Sequence, residues 1–61
     1  MKNKFLIWDD FRESWVDSGM NDWEGIWDAL SNPFDNREYA EGRMKAWDIY
    51  GEVKEIEVKV L

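Results

Sequence analysis

The chain has 61 residues, 14 acidic and 8 basic side chains, a net charge of −6, and neither histidine nor cysteine. This composition excludes a histidine base, a thiolate nucleophile, a disulfide framework and an ordinary zinc site, because each needs one of those side chains. So short a chain also cannot form a deep, water-excluding cleft. We therefore expect one small acidic domain over residues 1–61, with no enzymatic activity, no metal site and no cofactor.

The N-terminal apolar run is too short to be a targeting or membrane segment. Lys2 and Lys4 precede residues 5–8, which are apolar, but Asp9 and Asp10 end that run. A signal-peptide core or a membrane span needs a much longer stretch. We expect a cytoplasmic protein that does not bind membranes.

Both ends of the chain are predicted to be β-strands. Residues 3–8 are rich in strand-favouring apolar side chains, which is typical of a buried strand. In residues 52–60, Ile56, Val58 and Val60 alternate with charged side chains, so one face of a strand would be apolar. We expect these two strands to pair with each other.

Three sequence patterns of the capping-box type predict helix starts between the two strands. Asp10-x-x-Glu13 predicts a helix over residues 10–18, with Gly19 as its C-terminal stop. Asn21-x-x-Glu24 predicts a second helix, which ends before Pro33. Its apolar stripe consists of Trp23, Ile26, Trp27 and Leu30.

The third pattern, Asp35-x-x-Glu38, predicts a helix that continues to residue 50 and stops at Gly51. Opposite charges four residues apart, at Arg37/Glu41 and Glu41/Lys45, favour this helix. The alternative is that residues 43–50 form a strand and pair with the C-terminus as a hairpin.

Together these elements predict a small α+β domain in the order β-α-α-α-β, with β-α-α-β-β as the alternative. Two strands alone make a marginal sheet. Either a hairpin adds a third strand, or a second copy of the chain extends the sheet along residues 52–60. We expect a homodimer on this ground.

The tryptophans divide into predicted core and predicted surface residues. Trp23, Trp27 and Trp47 lie on apolar stripes and are expected in the core. Trp15, Phe34 and Met20 have weaker periodic support and are the candidates for exposed apolar residues, with core packing as the alternative; Trp15 is therefore a candidate interface anchor.

The negative charge is concentrated in the middle of the chain. Residues 5–42 carry a net charge of −8, whereas residues 43–61 are neutral. Asp9, Glu13 and Asp17 are four residues apart, so on a helix they would form a row that resembles the phosphates of a duplex. The candidate partner-binding residues are Asp9, Asp10, Glu13, Asp17, Asp22, Glu24, Asp28 and Trp15. Helix capping is the structural alternative for many of these acids, although it does not explain Asp9, Asp17 and Asp28.

Such a surface repels nucleic acid and anionic lipid and attracts basic proteins. In size and charge the chain resembles the small acidic inhibitors that bacterial viruses make against host DNA enzymes, such as uracil-DNA glycosylase inhibitors and antirestriction proteins. The resemblance implies a DNA mimic that docks on a basic nucleic-acid-binding site, and it assigns no role to any single residue. The alternative is a structural or regulatory module that binds through an apolar patch or an edge strand.

Overall fold

The computed structural model describes residues 3–57. They form four strands and two helices: β1 (Asn3–Asp9), β2 (Ser14–Val16), β3 (Asp22–Trp23), α1 (Ile26–Ala29), α2 (Arg37–Ala46) and β4 (Gly51–Glu57). The strands make one antiparallel sheet in the order β3-β2-β1-β4. The α+β class is confirmed, but the chain order is β-β-β-α-α-β, so neither predicted order is correct.

The two predicted terminal strands are present and pair with each other. β1 and β4 are antiparallel over seven residue pairs, from Asn3↔Glu57 to Asp9↔Gly51. The predicted strand at 52–60 agrees with β4 as far as Glu57, and its positions 58–60 lie outside the described residues. The pairing of these two strands is therefore the longest in the sheet.

The helix predicted over residues 10–18 is wrong, because this segment is a β-hairpin. The Asp9 carboxylate accepts hydrogen bonds from the backbone N–H groups of Phe11 and Arg12, both at 3.0 Å, and so closes the turn. The backbone of Glu13 has a φ of 54°, which lies outside the range of a right-handed helix. The strand that follows places Val16 opposite Ile7, whose side chains share the core.

The second predicted helix is reduced to a single turn, and its first residues form the short strand β3. Asp22 and Trp23 pair with β2, and only Ile26–Ala29 form a helical turn. Ala29 is the residue that this turn buries, while Trp27 is 82% exposed. The prediction that Trp23, Trp27 and Trp47 form the core is therefore wrong. A helix of one turn has no continuous stripe with which to bury large side chains.

The core consists of Phe34 and of small and medium-sized apolar side chains from the sheet and the two helices. Its fully or almost fully buried apolar members are Leu6, Ile7, Val16, Ala29, Phe34 and Ala40. Phe34, a candidate for exposure, is fully buried, so core packing is the correct alternative for it. Its backbone exchanges two hydrogen bonds with Phe5, at 3.0 and 2.9 Å, which hold the ring inside. Trp15 and Met20 are half-buried: Trp15 contacts Trp8, and Met20 packs on the core.

α2 begins one residue later than the sequence pattern indicates. The side chain of Asn36 accepts a hydrogen bond from the Tyr39 N–H at 2.7 Å and caps the helix. Asp35, the predicted cap, instead forms an ion pair with Lys4 at 2.6 Å. The predicted pairs of Glu41 are not among the ion pairs of residues 3–57.

α2 ends at Ala46 because the chain turns back at Asp48. The Asp48 N–H bonds to the Lys45 carbonyl at 3.2 Å, and the Ile49 N–H bonds to the Met44 carbonyl at 3.0 Å. This is a Schellman motif, in which Asp48 adopts a φ of 54°. Residues 43–46 are thus helical as predicted, residues 47–50 are not, and the alternative strand at 43–50 is wrong.

Two glycines provide opposite tests of this packing. A Cβ at Gly51 would overlap the carbonyl oxygen of Trp8, whereas a Cβ at Gly42 meets nothing within 4 Å. Gly51→Ala should lower the free energy of unfolding by about 2 kcal/mol or more, since the β1–β4 pair must separate. Gly42→Ala should raise it by about 0.5–1 kcal/mol, because glycine in a helix is entropically costly. Thermal unfolding of both variants measures the two shifts, and a stable Gly51→Ala protein contradicts the β1–β4 register.

Candidate protein-binding groove

Two of the predicted partner-binding acids, Asp9 and Asp17, are buried rather than displayed to solvent. Each lies at the end of a strand, and each carboxylate bonds to the backbone of the turn that follows. Both therefore have a structural role that the capping patterns did not reveal. They form no row with Glu13, because no helix contains them.

Asp17 is the most fully engaged of the acidic side chains. Its Oδ1 accepts the N–H groups of Gly19 at 2.9 Å and Asn21 at 3.0 Å, and its Oδ2 accepts the Trp23 indole N–H at 2.8 Å. The side chain is only 1% exposed. A carboxylate with three donors can remain buried, because each donor replaces a hydrogen bond to water. It ties the turn after β2 to β3.

Arg12 links the first turn to β3. Its Nη1 lies 2.7 Å from Asp22 Oδ2, and its Nε lies 4.0 Å from Asp9 Oδ2. The guanidinium is mostly exposed, so this bridge contributes little to stability. It does place a positive charge between two acids and reduces the negative charge there.

The other predicted acids are exposed, but they lie in three places. Asp10 and Glu13 lie in the β1–β2 loop, and neither has an ion-pair partner among residues 3–57. Asp22 lies on β3, Glu24 precedes α1 by two residues, and Asp28 lies within α1. Trp15 is half-buried against Trp8, with the ring centroids 4.8 Å apart, and so contributes more to packing than to the surface.

A groove of about 310 Å³ lies where the β1–β2 loop meets the residues that connect α2 to β4. The Asp10 N–H donates to the Tyr50 carbonyl at 2.8 Å and joins these two segments. The groove is lined by Asp9, Phe11, Arg12, Val16, Met20, Asp22, Trp47, Asp48, Ile49 and Tyr50. Its lining combines aromatic side chains with three carboxylates and one guanidinium.

Three large aromatic residues of this groove are exposed to solvent. Phe11 is 87% exposed, Tyr50 78% and Trp47 58%. The sequence patterns do not single out Phe11, Tyr50 or Asp48 as site residues. For Phe11 a signal exists, since this aromatic residue directly follows the acids Asp9 and Asp10.

The groove offers aromatic rings, carboxylates and one guanidinium as binding groups. Histidine and cysteine do not occur in the chain, and residues 3–57 contain no group of three or more acidic side chains placed to hold a metal ion. Aromatic faces and carboxylates instead suit a ligand that carries positive charge, since both attract cations. The arrangement therefore favours recognition of a basic surface.

No protein-family model, no curated protein and no solved structure matches the chain. Within residues 3–57, neither helix has the length and apolar character that crossing a membrane would require.

The hydrogen bonds of Asp17 predict a large effect of its removal. Asp17→Ala should lower the free energy of unfolding by about 3 kcal/mol, because it leaves three donors without their acceptor. Asp17→Asn should cost about half as much, since its oxygen can still accept from Gly19 and Asn21 but its amide cannot accept from Trp23. Chemical denaturation measures both losses. Glu24→Ala is the control, because it removes the same charge from an exposed site and should change stability by less than about 0.5 kcal/mol.

Proposed function

We propose that this protein is a small, non-catalytic inhibitor that binds a basic, nucleic-acid-binding site of a larger enzyme in the cytoplasm. The aromatic and acidic side chains at the groove are its contact surface. The resemblance in size and charge to inhibitors from bacterial viruses favours this class of partner and a virus-encoded source.

The exposed aromatic residues at one groove are the observation that carries the proposal. Phe11 and Trp47 leave large apolar areas in water, although a chain of 61 residues has few apolar side chains to spare for its core. Aromatic side chains are the commonest anchors of protein interfaces, and they contribute most when a partner covers them. A partner that buries both rings would recover this apolar area.

The charges around the groove indicate the character of that partner. Asp10 and Glu13 flank Phe11 in the sequence and are exposed, and Asp48 adds a third carboxylate beside Trp47. Carboxylates at the rim of an interface steer a basic partner and raise the association rate. Mimicry of nucleic-acid phosphates thus depends on the exposed acids Asp10, Glu13, Asp22, Glu24 and Asp28, and not on a row along a helix.

A second candidate function is a structural or regulatory module that binds through an apolar patch. Trp27 favours it, because this exposed ring lies beside Leu30 and Pro33 at a separate depression. Such binding would depend on Trp27 and would change little with salt, whereas the inhibitor should lose affinity as salt screens its charges.

Displacement from DNA-cellulose tests the proposed inhibitor. Proteins of a bacterial lysate are loaded on the resin, the chain is added, and the proteins that elute are identified by mass spectrometry. We expect the wild type to displace at least one DNA-binding enzyme. A variant with Asp10→Lys and Glu13→Lys should fail, because its loop would repel the basic site.

A variant with Glu38→Lys and Glu41→Lys is the matched control, since it changes the net charge equally on an exposed helix away from the groove. It should displace the same enzyme as the wild type. Phe11→Ala with Trp47→Ala should weaken binding of that enzyme by roughly 100-fold, measured by calorimetry. Equal displacement by both charge variants, or none by the wild type, contradicts the proposal.

A further inference from the structure

β4 forms one edge of the sheet and has a strand neighbour on one side only. The order β3-β2-β1-β4 leaves its other side without a partner strand among residues 3–57. The opposite edge, β3, is only two residues long, whereas β4 has seven. A free edge of that length is a template for pairing with another strand.

The hydrogen bonds of Phe5 show which backbone groups of β4 face outward. Phe5 exchanges both of its backbone bonds with Phe34, on the side of β1 away from β4. In an antiparallel pair, bonding residues alternate with non-bonding ones. Lys4, Leu6 and Trp8 therefore bond to β4. Their partners on β4 are Ile56, Lys54 and Glu52.

The N–H and C=O groups of the intervening residues point away from β1. These residues are Gly51, Val53, Glu55 and Glu57. The hydrogen bond from the Asp10 N–H to the Tyr50 carbonyl extends this alternation of bonding and non-bonding residues beyond the pair of Trp8 and Glu52. Tyr50 therefore shares a face of the sheet with Glu52 and Lys54.

We propose that two copies of this chain pair antiparallel along β4, about a two-fold axis at Val53, and form a continuous eight-stranded sheet. Val53 would exchange two backbone hydrogen bonds with the partner's Val53. Gly51 and Glu55 would bond in the same way to the partner's Glu55 and Gly51. All these backbone groups already point outward, so pairing breaks no bond within the chain.

This register brings opposite charges together on one face of the sheet. Glu52 lies directly across from the partner's Lys54, and Lys54 lies across from the partner's Glu52. Within one chain these two side chains already form an ion pair at 2.7 Å, and both are exposed. Opposite charges in directly opposed cross-strand positions stabilise a sheet, and like charges destabilise it.

Moving the two-fold axis by one residue in either direction removes these opposite-charge pairs. An axis at Lys54 opposes two lysines, and an axis at Glu52 opposes two glutamates. An axis at Glu55 again opposes two glutamates, and one at Ile56 sets Glu55 against the partner's Glu57. Among axes from Glu52 to Ile56, only the one at Val53 pairs no like charges; an axis at Gly51 pairs none either, but of the β4 residues it sets only Gly51 against the partner's β4.

The same register covers apolar side chains. Val53 meets the partner's Val53 beside the core, and the exposed Tyr50 meets the partner's Ile56 on the other face. Aromatic with β-branched pairs are among the favourable cross-strand neighbours. β2 and β3 supply the third and fourth strands of the sheet, so the chain does not need a dimer to complete its sheet. The matching charges and apolar side chains along the β4 edge favour the dimer instead.

Sedimentation equilibrium of the full chain tests the proposal. We expect a mass that rises with concentration toward twice the 7.4 kDa of one chain. Concentrations up to about 1 mM are needed, because small interfaces bind weakly. A single-chain mass at every concentration overturns the proposal.

Charge variants test the register itself. Glu52→Lys and Lys54→Glu should each weaken dimerisation roughly tenfold or more, because each sets like charges across the axis twice. Mixing the two variants should restore the dimer, since every facing pair is then opposite in charge. Glu52→Lys also brings the net charge from −6 to −4, so general repulsion predicts a stronger dimer and the register predicts a weaker one.

Glu24→Lys is the control, because it makes the same change of charge beyond the opposite edge of the sheet, and it should leave the dimer intact. A dimer that both edge variants leave unaltered overturns the proposal, as does failure of the mixture to recover. Hydrogen exchange gives an independent readout: the amides of Val53 and Glu55 should become protected as concentration rises, while that of Lys54 is protected throughout. Neither Glu52 nor Lys54 lines the groove, so loss of the dimer and loss of inhibition are separable outcomes.

Discussion

The buried carboxylate of Asp17 joins the turn after β2 to the indole of Trp23 on β3. β3 has only two residues, and two backbone pairs alone would not hold so short a strand against the sheet. The Asp9 carboxylate closes the preceding loop, between β1 and β2, in a similar way. The arrangement of β1, β2 and β3 therefore depends on two buried acids. Their carboxylates accept hydrogen bonds from backbone N–H groups and from the indole of one tryptophan.

This use of acids changes which side chains remain for function. Because the carboxylates of Asp9 and Asp17 are bonded to the backbone of turns, the acids of the hairpin that remain exposed are Asp10 and Glu13, with Phe11 between them. Phe34 is the one fully buried aromatic ring among residues 3–57, and small residues such as Ala29 and Ala40 occupy other core positions, so the remaining large aromatic rings lie at least partly outside the core. An acidic, aromatic-rich surface is thus a direct consequence of how the core is made, and it is the basis for proposing a basic protein partner.

The sequence predicts the two long strands because their burial is visible in the residue pattern. β1 contains an apolar run, and in β4 apolar and charged side chains alternate. The sequence does not predict the hairpin at residues 10–16. An Asp followed by a Glu three residues later caps a helix or closes a turn equally well, and the choice depends on Val16 packing beside Ile7, which no local pattern reveals. At the site, Asp10 and Glu13 are predicted acids that prove to be exposed, whereas Tyr50 and Asp48 reach the groove only because α2 ends early.

A nuclear Overhauser spectrum of the wild-type chain tests whether Asp9 and Asp17 close the turns between β-strands and do not line a helix. Trp8 and Trp15 form a non-hydrogen-bonded pair, in which the Cα atoms are about 4.5 Å apart. We expect a strong Hα–Hα cross-peak between these two residues. Its absence, together with cross-peaks between each Hα and the amide three residues later across 10–18, would show a helix there in place of the hairpin.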